Sequence, residues 1–235
     1  MKALILAAGR GTRMGPLTSD IPKPMLVVRG LPVLEWIVRG LRDSAAVTEF
    51  CIVIGHQKER ILSHFKDGIA LGVSITYREQ LVLDGTGRAP LLAREWVHDD
   101  PFLLSYGDIL IKPEEYGRLV AAYQDDGVIA LCSGQDVRLG GAVLLNESGL
   151  VEDIIEKTDN PELLAKSLYN AGIYALNPRV FLFMDRLEKS RRGEYELTDA
   201  LRQLSRTGKV HGFLLKGDWA DVRDPEILAG LNHSQ

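Results

Sequence analysis

Residues Ala3–Gly15 read ALILAAGRGTRMG, and this stretch decides the fold. Ala3–Ala8 is a short apolar run, which is typical of a buried strand, and glycines follow it at once. Glycines at the end of a buried strand let backbone N–H groups approach a phosphate closely. The stretch therefore predicts a strand that ends in a phosphate-binding loop, with a tight turn of no further function as the alternative.

Two familiar phosphate motifs do not fit this loop. A dinucleotide fingerprint needs a third glycine where Met14 stands, and the GxxxxGK[ST] pattern is absent. Pro16 and Pro22 argue against an immediate helix. The loop instead carries Arg10 and Arg13, and two cations suit a polyphosphate. This supports nucleotide binding.

Short apolar runs alternate with amphipathic stretches in the first half of the chain. The runs that predict buried strands are Ala3–Ala8, Phe50–Gly55, Val73–Tyr77, Phe102–Ser105 and Val128–Cys132. The stretches that predict helices are 33–43, 57–66, 89–97 and 114–125. Such alternation predicts a mainly parallel sheet that helices cover on both faces.

The pattern changes after Gly134. The elements predicted there are a hairpin of Gly141–Asn146 and Val151–Glu156, a strand at Leu168–Leu176, helices at 178–188 and 197–206, a strand at 209–214 and a helix after Pro225. We expect them to add antiparallel strands and a lid to the same sheet. The result would be one α/β domain with two lobes, about 1–133 and 134–235, and a cleft at the carboxyl ends of the strands.

Composition excludes several classes of protein. The chain has 235 residues, of which 28 are Lys or Arg and 32 are Asp or Glu, so its formal net charge is −4. This argues against a nucleic-acid-binding protein that relies on bulk positive charge. No apolar stretch approaches the ~18 residues of a membrane span, so no membrane partner is expected. Cys51 and Cys132 each lie in an apolar run, which predicts buried, reduced thiols and a cytoplasmic protein.

A second motif follows the glycine-rich loop. Pro22-Lys23-Pro24 places a lysine between two residues whose φ is fixed. A lysine held near a phosphate loop can stabilise charge that develops on phosphorus. The alternative is a lysine on a rigid surface turn.

The two motifs together, Leu6–Met14 and Pro22–Leu26, closely resemble the sugar-1-phosphate nucleotidyltransferase family. That family includes glucose-1-phosphate thymidylyl- and uridylyltransferases and mannose-1-phosphate guanylyltransferases. The resemblance extends over nearly the whole chain, to Trp219–Val222. It implies a three-layer α/β/α Rossmann-like fold, with a mixed, mostly parallel central sheet and a small sugar-binding lobe. It also implies that the protein catalyses the reaction of an NTP with a sugar 1-phosphate, which forms an NDP-sugar and pyrophosphate, with Mg²⁺ as cofactor. We expect no C-terminal β-helix domain of the kind that some relatives carry.

The resemblance also implies roles for single residues. Nucleotide contacts would come from Leu6, Ala8, Gly9, Gly11, Thr12, Arg13, Lys23, Gln80, Gly85 and Thr86. The residues with catalytic roles would be Arg13, Lys23 and Asp108. An amide such as that of Gln80 both donates and accepts, which suits a nucleobase edge. Members that transfer uridylyl or thymidylyl groups carry Gln at this spacing, whereas guanylyl members more often carry an acidic residue. UTP or dTTP is therefore favoured, and a solvated loop is the alternative.

Acidic residues suggest the metal site and the acceptor site. Asp108 follows an apolar strand, and a carboxylate at such a position is a natural Mg²⁺ ligand. The resemblance implies that Asp108 and Asp221 form the metal pair. It further implies sugar or sugar-phosphate contacts from Gly141, Glu156, Lys157 and Asn170. For Glu156 and Lys157 the alternative is an exposed ion pair of little consequence.

Other functions stay open at this point. One is a guanylyltransferase for mannose or heptose 1-phosphate, and another is a phosphocholine cytidylyltransferase. A third is a non-catalytic regulatory homologue, although Arg13, Lys23, Asp108 and Asp221 are all present. Arg191 and Arg192 lie in a polar connection, which predicts a solvated face or a contact in a homo-oligomer.

Overall fold

The apolar run that opens the chain forms strand β1 (Lys2–Ala7), which lies inside a nine-stranded sheet. The computed structural model describes residues 1–233. The other strands are β2 (Val27–Val28), β3 (Leu31–Pro32), β4 (Glu49–Ile54), β5 (Ser74–Glu79), β6 (Phe102–Tyr106), β7 (Ile109–Ile111), β8 (Gly127–Cys132), β9 (Gly141–Leu145), β10 (Val151–Glu156), β11 (Leu168–Leu176), β12 (Val210–Leu214) and β13 (Trp219–Asp221).

Short and long helices connect these strands. The α-helices are α1 (Val33–Ala45), α2 (Lys58–Phe65), α3 (Arg94–Val97), α4 (Pro113–Ala121), α5 (Pro161–Lys166), α6 (Val180–Met184), α7 (Leu197–Ser205) and α8 (Pro225–His233). Segments of 3₁₀-helix occupy Thr12–Thr18, Lys23–Met25, Ile69–Leu71, Ala89–Ala93 and Val137–Leu139. Among residues 1–233, no helix is both long and apolar enough to cross a bilayer.

The main sheet is mixed. Its strand order is β10-β9-β11-β6-β1-β4-β5, with β8 beside β11 and β12 beside β8. β6, β1, β4 and β5 run parallel, whereas β11 is antiparallel to β6, β8 and β9. The predicted α/β fold, with its parallel first half and its antiparallel hairpin β9–β10, is confirmed.

One strand pairing was predicted wrongly. The second half was expected to add antiparallel strands. β9, β10 and β11 do so, but β12 pairs parallel with β8. β11 ends beside the start of β8, because Leu176 pairs with Gly127. The segment that contains α6 and α7 returns the chain to that same end of the sheet, where Val210 at the start of β12 pairs with Gly127. β12 therefore runs opposite to β11 and in the same direction as β8.

Several helix boundaries also differ from the prediction. The expected helix 89–97 is a 3₁₀-helix over Ala89–Ala93 followed by the single turn of α3. Pro90 lacks the N–H of a regular helix, which favours this tighter start. The expected helix 178–188 shortens to the five residues of α6. α4 ends at Ala121, because the chain turns through Asp125, with φ of +52°, into β8. α5 and β7 were not predicted.

Two apolar layers cover the two faces of the sheet. Alternate residues of β1 point into different layers: Leu4 packs with α6 and α7, and Ile5 packs with α1, α2 and α4. This explains why β1 is continuously apolar from Ala3 to Ala7 rather than alternating, since both of its faces are buried. Cys51 and Cys132 lie in these layers as free cysteines, as predicted. Burial raises the pKa of the Cys51 thiol to about 11 and that of Cys132 to about 12, so both stay protonated.

Candidate active site

A cavity of about 850 Å³ opens where the parallel strands β1, β5 and β6 end. Ligand sites of open α/β sheets lie at this edge, because loops diverge there from neighbouring strands. Of the residues that the sequence analysis singled out, the cavity is lined by Leu6, Ala8, Gly9, Gly11, Thr12, Arg13, Lys23, Gln80, Gly85, Thr86, Asp108, Glu156, Lys157 and Asp221. The chain thus brings together residues that the sequence separates widely.

The glycine-rich loop forms one wall of the cavity. Gly11 has φ of +64°, and a Cβ on it would lie 2.9 Å from Cβ of Lys23. Both observations require glycine at this position. The chain then enters the 3₁₀-helix Thr12–Thr18, and the Thr18 hydroxyl donates to the Gly11 carbonyl at 3.0 Å. Arg10 and Arg13 line the same wall, so its charge is positive.

Lys23 lies at the base of this wall, at the start of the 3₁₀-helix Lys23–Met25. Its side chain is 14% exposed, and its ammonium contacts the carboxylates of Asp108 and Asp221. The distance from Nζ to Oδ1 of Asp221 is 3.5 Å. Burial acts to lower the pKa of Lys23, but the two carboxylates outweigh it and raise that pKa above its usual value. Lys23 therefore carries a positive charge.

A short antiparallel ladder brings the two aspartates together. Asp108 lies in the turn between β6 and β7, and Asp221 ends β13, where it pairs with Ile109 of β7. The backbone N–H of Val222 also donates to the Asp108 carbonyl at 3.0 Å. Burial and the negative charge of Asp108 raise the pKa of Asp221, against the attraction of Lys23 and Arg223. One ammonium, that of Lys23, thus faces two carboxylates. The carboxylates of Asp108 and Asp221 together retain an excess of negative charge.

Asp108 and Asp221 are suited to hold a magnesium ion. Both offer hard oxygen donors, and both already converge on one cation, the Lys23 ammonium. Mg²⁺ is commonly held by one or two carboxylates together with substrate phosphates. The positively charged glycine-rich loop beside them is suited to place such phosphates.

The loop that carries Gln80 forms a second wall. The Gln80 amide nitrogen donates to the Gly85 carbonyl at 3.1 Å, which holds the side chain against the loop. The loop in turn pairs with Tyr195: Tyr195 N–H donates to the Asp84 carbonyl at 2.8 Å, and Gly87 N–H donates to the Tyr195 carbonyl at 2.7 Å. The loop before α3 and the segment before α7 are therefore held together.

Two predicted sugar contacts lie behind the cavity wall. Gly141 pairs with Glu156 in the β9–β10 hairpin, but it does not line the cavity. Asn170 is buried, and its side-chain oxygen accepts from Gly172 N–H at 3.1 Å. Gly172 has φ of +78°, and the β11–β8 register shifts between Asn170 and Tyr174. The unusual Asn inside a strand thus has a local partner at an irregularity of β11.

The structure adds a role to Arg192. The side chain is exposed, as expected for a solvated face, but it also lines the cavity and forms ion pairs with Glu194 at 3.2 Å and Glu196 at 3.5 Å. The segment before α7 folds back over the cavity because Tyr195 is tied to the Gln80 loop. Arg191 does not line the cavity.

Further lining residues were missed at the sequence level. They include Tyr106, Leu139, Glu194, Glu196, Thr198 and Arg223. Glu196 is the N-terminal cap residue of α7 and is buried, although polar, charged stretches usually predict solvated loops. Burial and the charge of Glu196 raise the pKa of the Glu156 carboxyl, so these two side chains influence each other across the cavity. The signal available was a pair of acidic residues, Glu194 and Glu196, directly before an amphipathic helix.

The chain resembles known proteins over nearly its whole length. A family model described as nucleotidyl transferase matches residues 2–232. The bifunctional protein GlmU of Methanococcus maripaludis is 36% identical over 234 residues, which are 99% of this chain and 54% of that protein. The UTP–glucose-1-phosphate uridylyltransferase AglF of Haloferax volcanii is 32% identical over 232 residues, which are 96% of this chain and 93% of AglF. The chain spans about half the length of the GlmU proteins that it matches.

Solved structures agree as well. A crystal structure of UDP-glucose pyrophosphorylase with UDP-glucose superimposes with a TM-score of 0.89 and 25% identity, over 98% of this chain and 96% of the other. The Rossmann-like fold expected from the two sequence motifs is thereby confirmed. Because the family model covers nearly all of the sequence, the chain belongs to the nucleotidyl transferase family.

Proposed function

We propose that the protein is a sugar-1-phosphate nucleotidyltransferase, which forms an NDP-sugar and pyrophosphate from an NTP and a sugar 1-phosphate. The observation that carries this proposal is the convergence of Lys23, Asp108 and Asp221 beside the positively charged glycine-rich loop. The names of GlmU and AglF, which resemble this chain over nearly its whole length, support it.

The reaction needs no general base. An oxygen of the sugar phosphate attacks the α-phosphorus of the NTP in line, a new P–O bond forms, and the bond to the pyrophosphate oxygen breaks. The attacking phosphate monoester has a second pKa near 6 and is already ionised at neutral pH. Catalysis therefore consists of positioning and charge neutralisation.

The lining residues divide this work. In the proposal, Gly9, Gly11, Thr12 and Arg13 hold the β- and γ-phosphates, and Lys23 neutralises charge on the α-phosphoryl group. Lys157 places the acceptor phosphate, and Glu156 accepts from sugar hydroxyls, with Gly141 and Asn170 shaping that end from behind. Residues 1–133 would thus bind the nucleotide, and residues 134–235 would bind the sugar.

A magnesium ion completes the proposal. Asp108 and Asp221 would hold it, and when bound it would neutralise phosphate charge. Gln80, held against Gly85, supports UTP or dTTP as the nucleotide. We further expect the enzyme to act in the cytoplasm, where its nucleotide substrate is found.

A grid of pyrophosphate-release assays tests the proposal. UTP, dTTP, GTP, CTP and ATP are each combined with Mg²⁺ and a panel of α-sugar 1-phosphates or phosphocholine. We expect a strong signal with UTP or dTTP and one hexose phosphate. A signal with GTP and mannose or heptose 1-phosphate, or with CTP and phosphocholine, would replace the substrate assignment. Nucleotide binding without turnover in any combination would favour a non-catalytic homologue.

A further inference from the structure

The ammonium of Lys23 lies between the two carboxylates proposed to bind metal. It forms an ion pair with Asp108 and another with Asp221. Within residues 1–233, these are the only ion pairs that the structure places on either aspartate, although the charge of Arg223 also acts on Asp221. Lys23 is thus the counterion of both acids.

The backbone around Lys23 holds it in this position. Pro22 and Pro24 restrict the chain on either side, and the main chain of Gly11 packs against the Lys23 side chain so closely that a Cβ would lie 2.9 Å from it. The three charged side chains are 14%, 26% and 18% exposed for Lys23, Asp108 and Asp221. Water therefore screens these charges less than it would at the surface, and the contact contributes more than an exposed ion pair.

A divalent cation would bind the same two carboxylates, of which Lys23 contacts Oδ2 of Asp108 and Oδ1 of Asp221. A cation held between these carboxylates would lie close to the ammonium and repel it. Each carboxylate that donates a lone pair to a metal ion has to give up, or share, its contact with the ammonium. The two aspartates cannot serve as full partners of both cations at the short distances that each cation prefers. Metal affinity is therefore the difference between the attraction of the metal and the contact with Lys23 that is lost.

We propose that Lys23 is a built-in competitor for the metal site, and that a divalent cation which takes Asp108 and Asp221 releases the Lys23 ammonium toward the phosphate-binding loop. Lys23 then has two roles, one after the other. It neutralises the two carboxylates, and once a divalent cation has taken its place there it neutralises phosphate. The second role depends on the proposed function, whereas the competition itself depends only on the three side chains.

Direct metal binding without any substrate tests the competition. Mn²⁺ is titrated into wild-type protein and into Lys23→Met, and free Mn²⁺ is followed by electron paramagnetic resonance. Because a hydrogen bond to a charged group typically contributes about 1.5–3 kcal/mol, Lys23→Met should bind Mn²⁺ roughly ten- to a hundredfold more tightly than wild type. Adding Asp221→Asn to Lys23→Met should abolish the gain.

Matched variants separate competition from general charge effects. Lys157→Met removes a lysine that lines the same cavity without an ion pair to Asp108 or Asp221, so its Mn²⁺ affinity should stay close to that of wild type. Lys23→Arg keeps the charge and should keep the weak affinity. Circular dichroism checks that Lys23→Met folds. If it does not, Lys23→Gln is used to repeat the test.

The outcomes distinguish this proposal from the proposed function. Equal or weaker Mn²⁺ binding by both Lys23→Met and Lys23→Gln overturns the competition, even if the wild-type protein turns over its substrates. A gain of the same size in Lys157→Met also overturns it, since any lost positive charge would then suffice. Tighter binding in the Lys23 variants alone supports the competition, even if no substrate pair in the grid gives pyrophosphate.

Discussion

Single residues decide the chemistry, because a few charges share a partly buried space. Lys23, Asp108 and Asp221 lie in different parts of the sequence, and the Lys23 ammonium forms an ion pair with each of the two aspartates. In such a space each charge acts strongly on its neighbours. Substitutions that change charge but not size therefore give the sharpest tests at this scale.

Asp108→Asn should lower the rate of pyrophosphate release by about 10²–10³, the usual cost of removing one electrostatic group from an active site. The fold should remain, because Asn occupies the same volume and can still accept from Lys23. Asp218→Asn is the matched control, since Asp218 is 94% exposed and forms an ion pair with Lys112 at 3.6 Å, outside the cavity lining. Near-full activity of Asp108→Asn in steady-state assays would contradict the proposed role.

Glu156→Gln should raise thermal stability at neutral pH while weakening acceptor binding. Burial and the charge of Glu196 raise the pKa of Glu156 in the folded protein, so the folded state binds a proton more readily than the unfolded state. Ionisation of Glu156 therefore costs stability as pH rises above its usual pKa, and Gln removes that cost.

Thermal unfolding at neutral pH and near pH 4 checks the sign of this effect. The stabilisation by Glu156→Gln should shrink at the lower pH, because Glu156 is then mostly protonated in both the folded and the unfolded state. A variant less stable than wild type at neutral pH would show that Glu156 instead contributes net attraction there.

At the scale of elements, backbone pairings between distant loops shape the cavity. The Gln80 loop is bound to the segment before α7, and β13 is bound to β7. Neither pairing belongs to the main sheet. These contacts place Gln80, Arg192 and Asp221 around one cavity, and a local disturbance should affect ligand binding before it affects the whole fold.

Gly85→Ala should raise the KM for the nucleotide. Gly85 has φ of +117°, and an added Cβ would lie 2.3 Å from the Tyr195 carbonyl oxygen, so the loop has to shift. Gly149→Ala is the control: its φ is +78°, and its Cβ would meet nothing within 4 Å. Left-handed backbone strain alone costs about 1–2 kcal/mol, so both variants should lose some stability. Equal kinetics of the two variants would argue against a role for the loop contact.

At the scale of the whole molecule, a tryptophan connects the metal pair to the main sheet. Trp219 in β13 donates from its indole nitrogen to the Ala171 carbonyl of β11 at 2.9 Å, and its ring contacts Tyr169 edge-on. This contact sets where Asp221 lies relative to the end of β6, although the two belong to different sheets.

Trp219→Ala should lower kcat by about 10²-fold, because a displacement of about 1 Å in an active site can cost that much. Trp96→Ala is the matched control, since Trp96 is also partly buried but packs on the other apolar layer, away from the cavity lining. Both variants should lose stability by thermal unfolding, while only Trp219→Ala should lose the catalytic rate. Equal kcat losses would show that the effect is a general one of destabilisation.

The sequence by itself determined the elements and the loops that carry the chemistry. Apolar runs such as that of β1 identify buried strands, and the glycines and prolines around Lys23 restrict the backbone locally, so both follow from short-range steric and hydrophobic preferences. The family motifs added Asp108 and Asp221. Most of the residues predicted on these grounds do line one cavity.

Only the tertiary structure decided how distant segments meet. The parallel pairing of β12 with β8 and the presence of Arg192 and Glu196 in the cavity both depend on contacts between segments far apart in sequence. The segment before α7 has no hydrophobic period, so its polar residues predict solvent. Hydrogen bonds from Tyr195 to the Gln80 loop instead turn that segment over the active-site cavity.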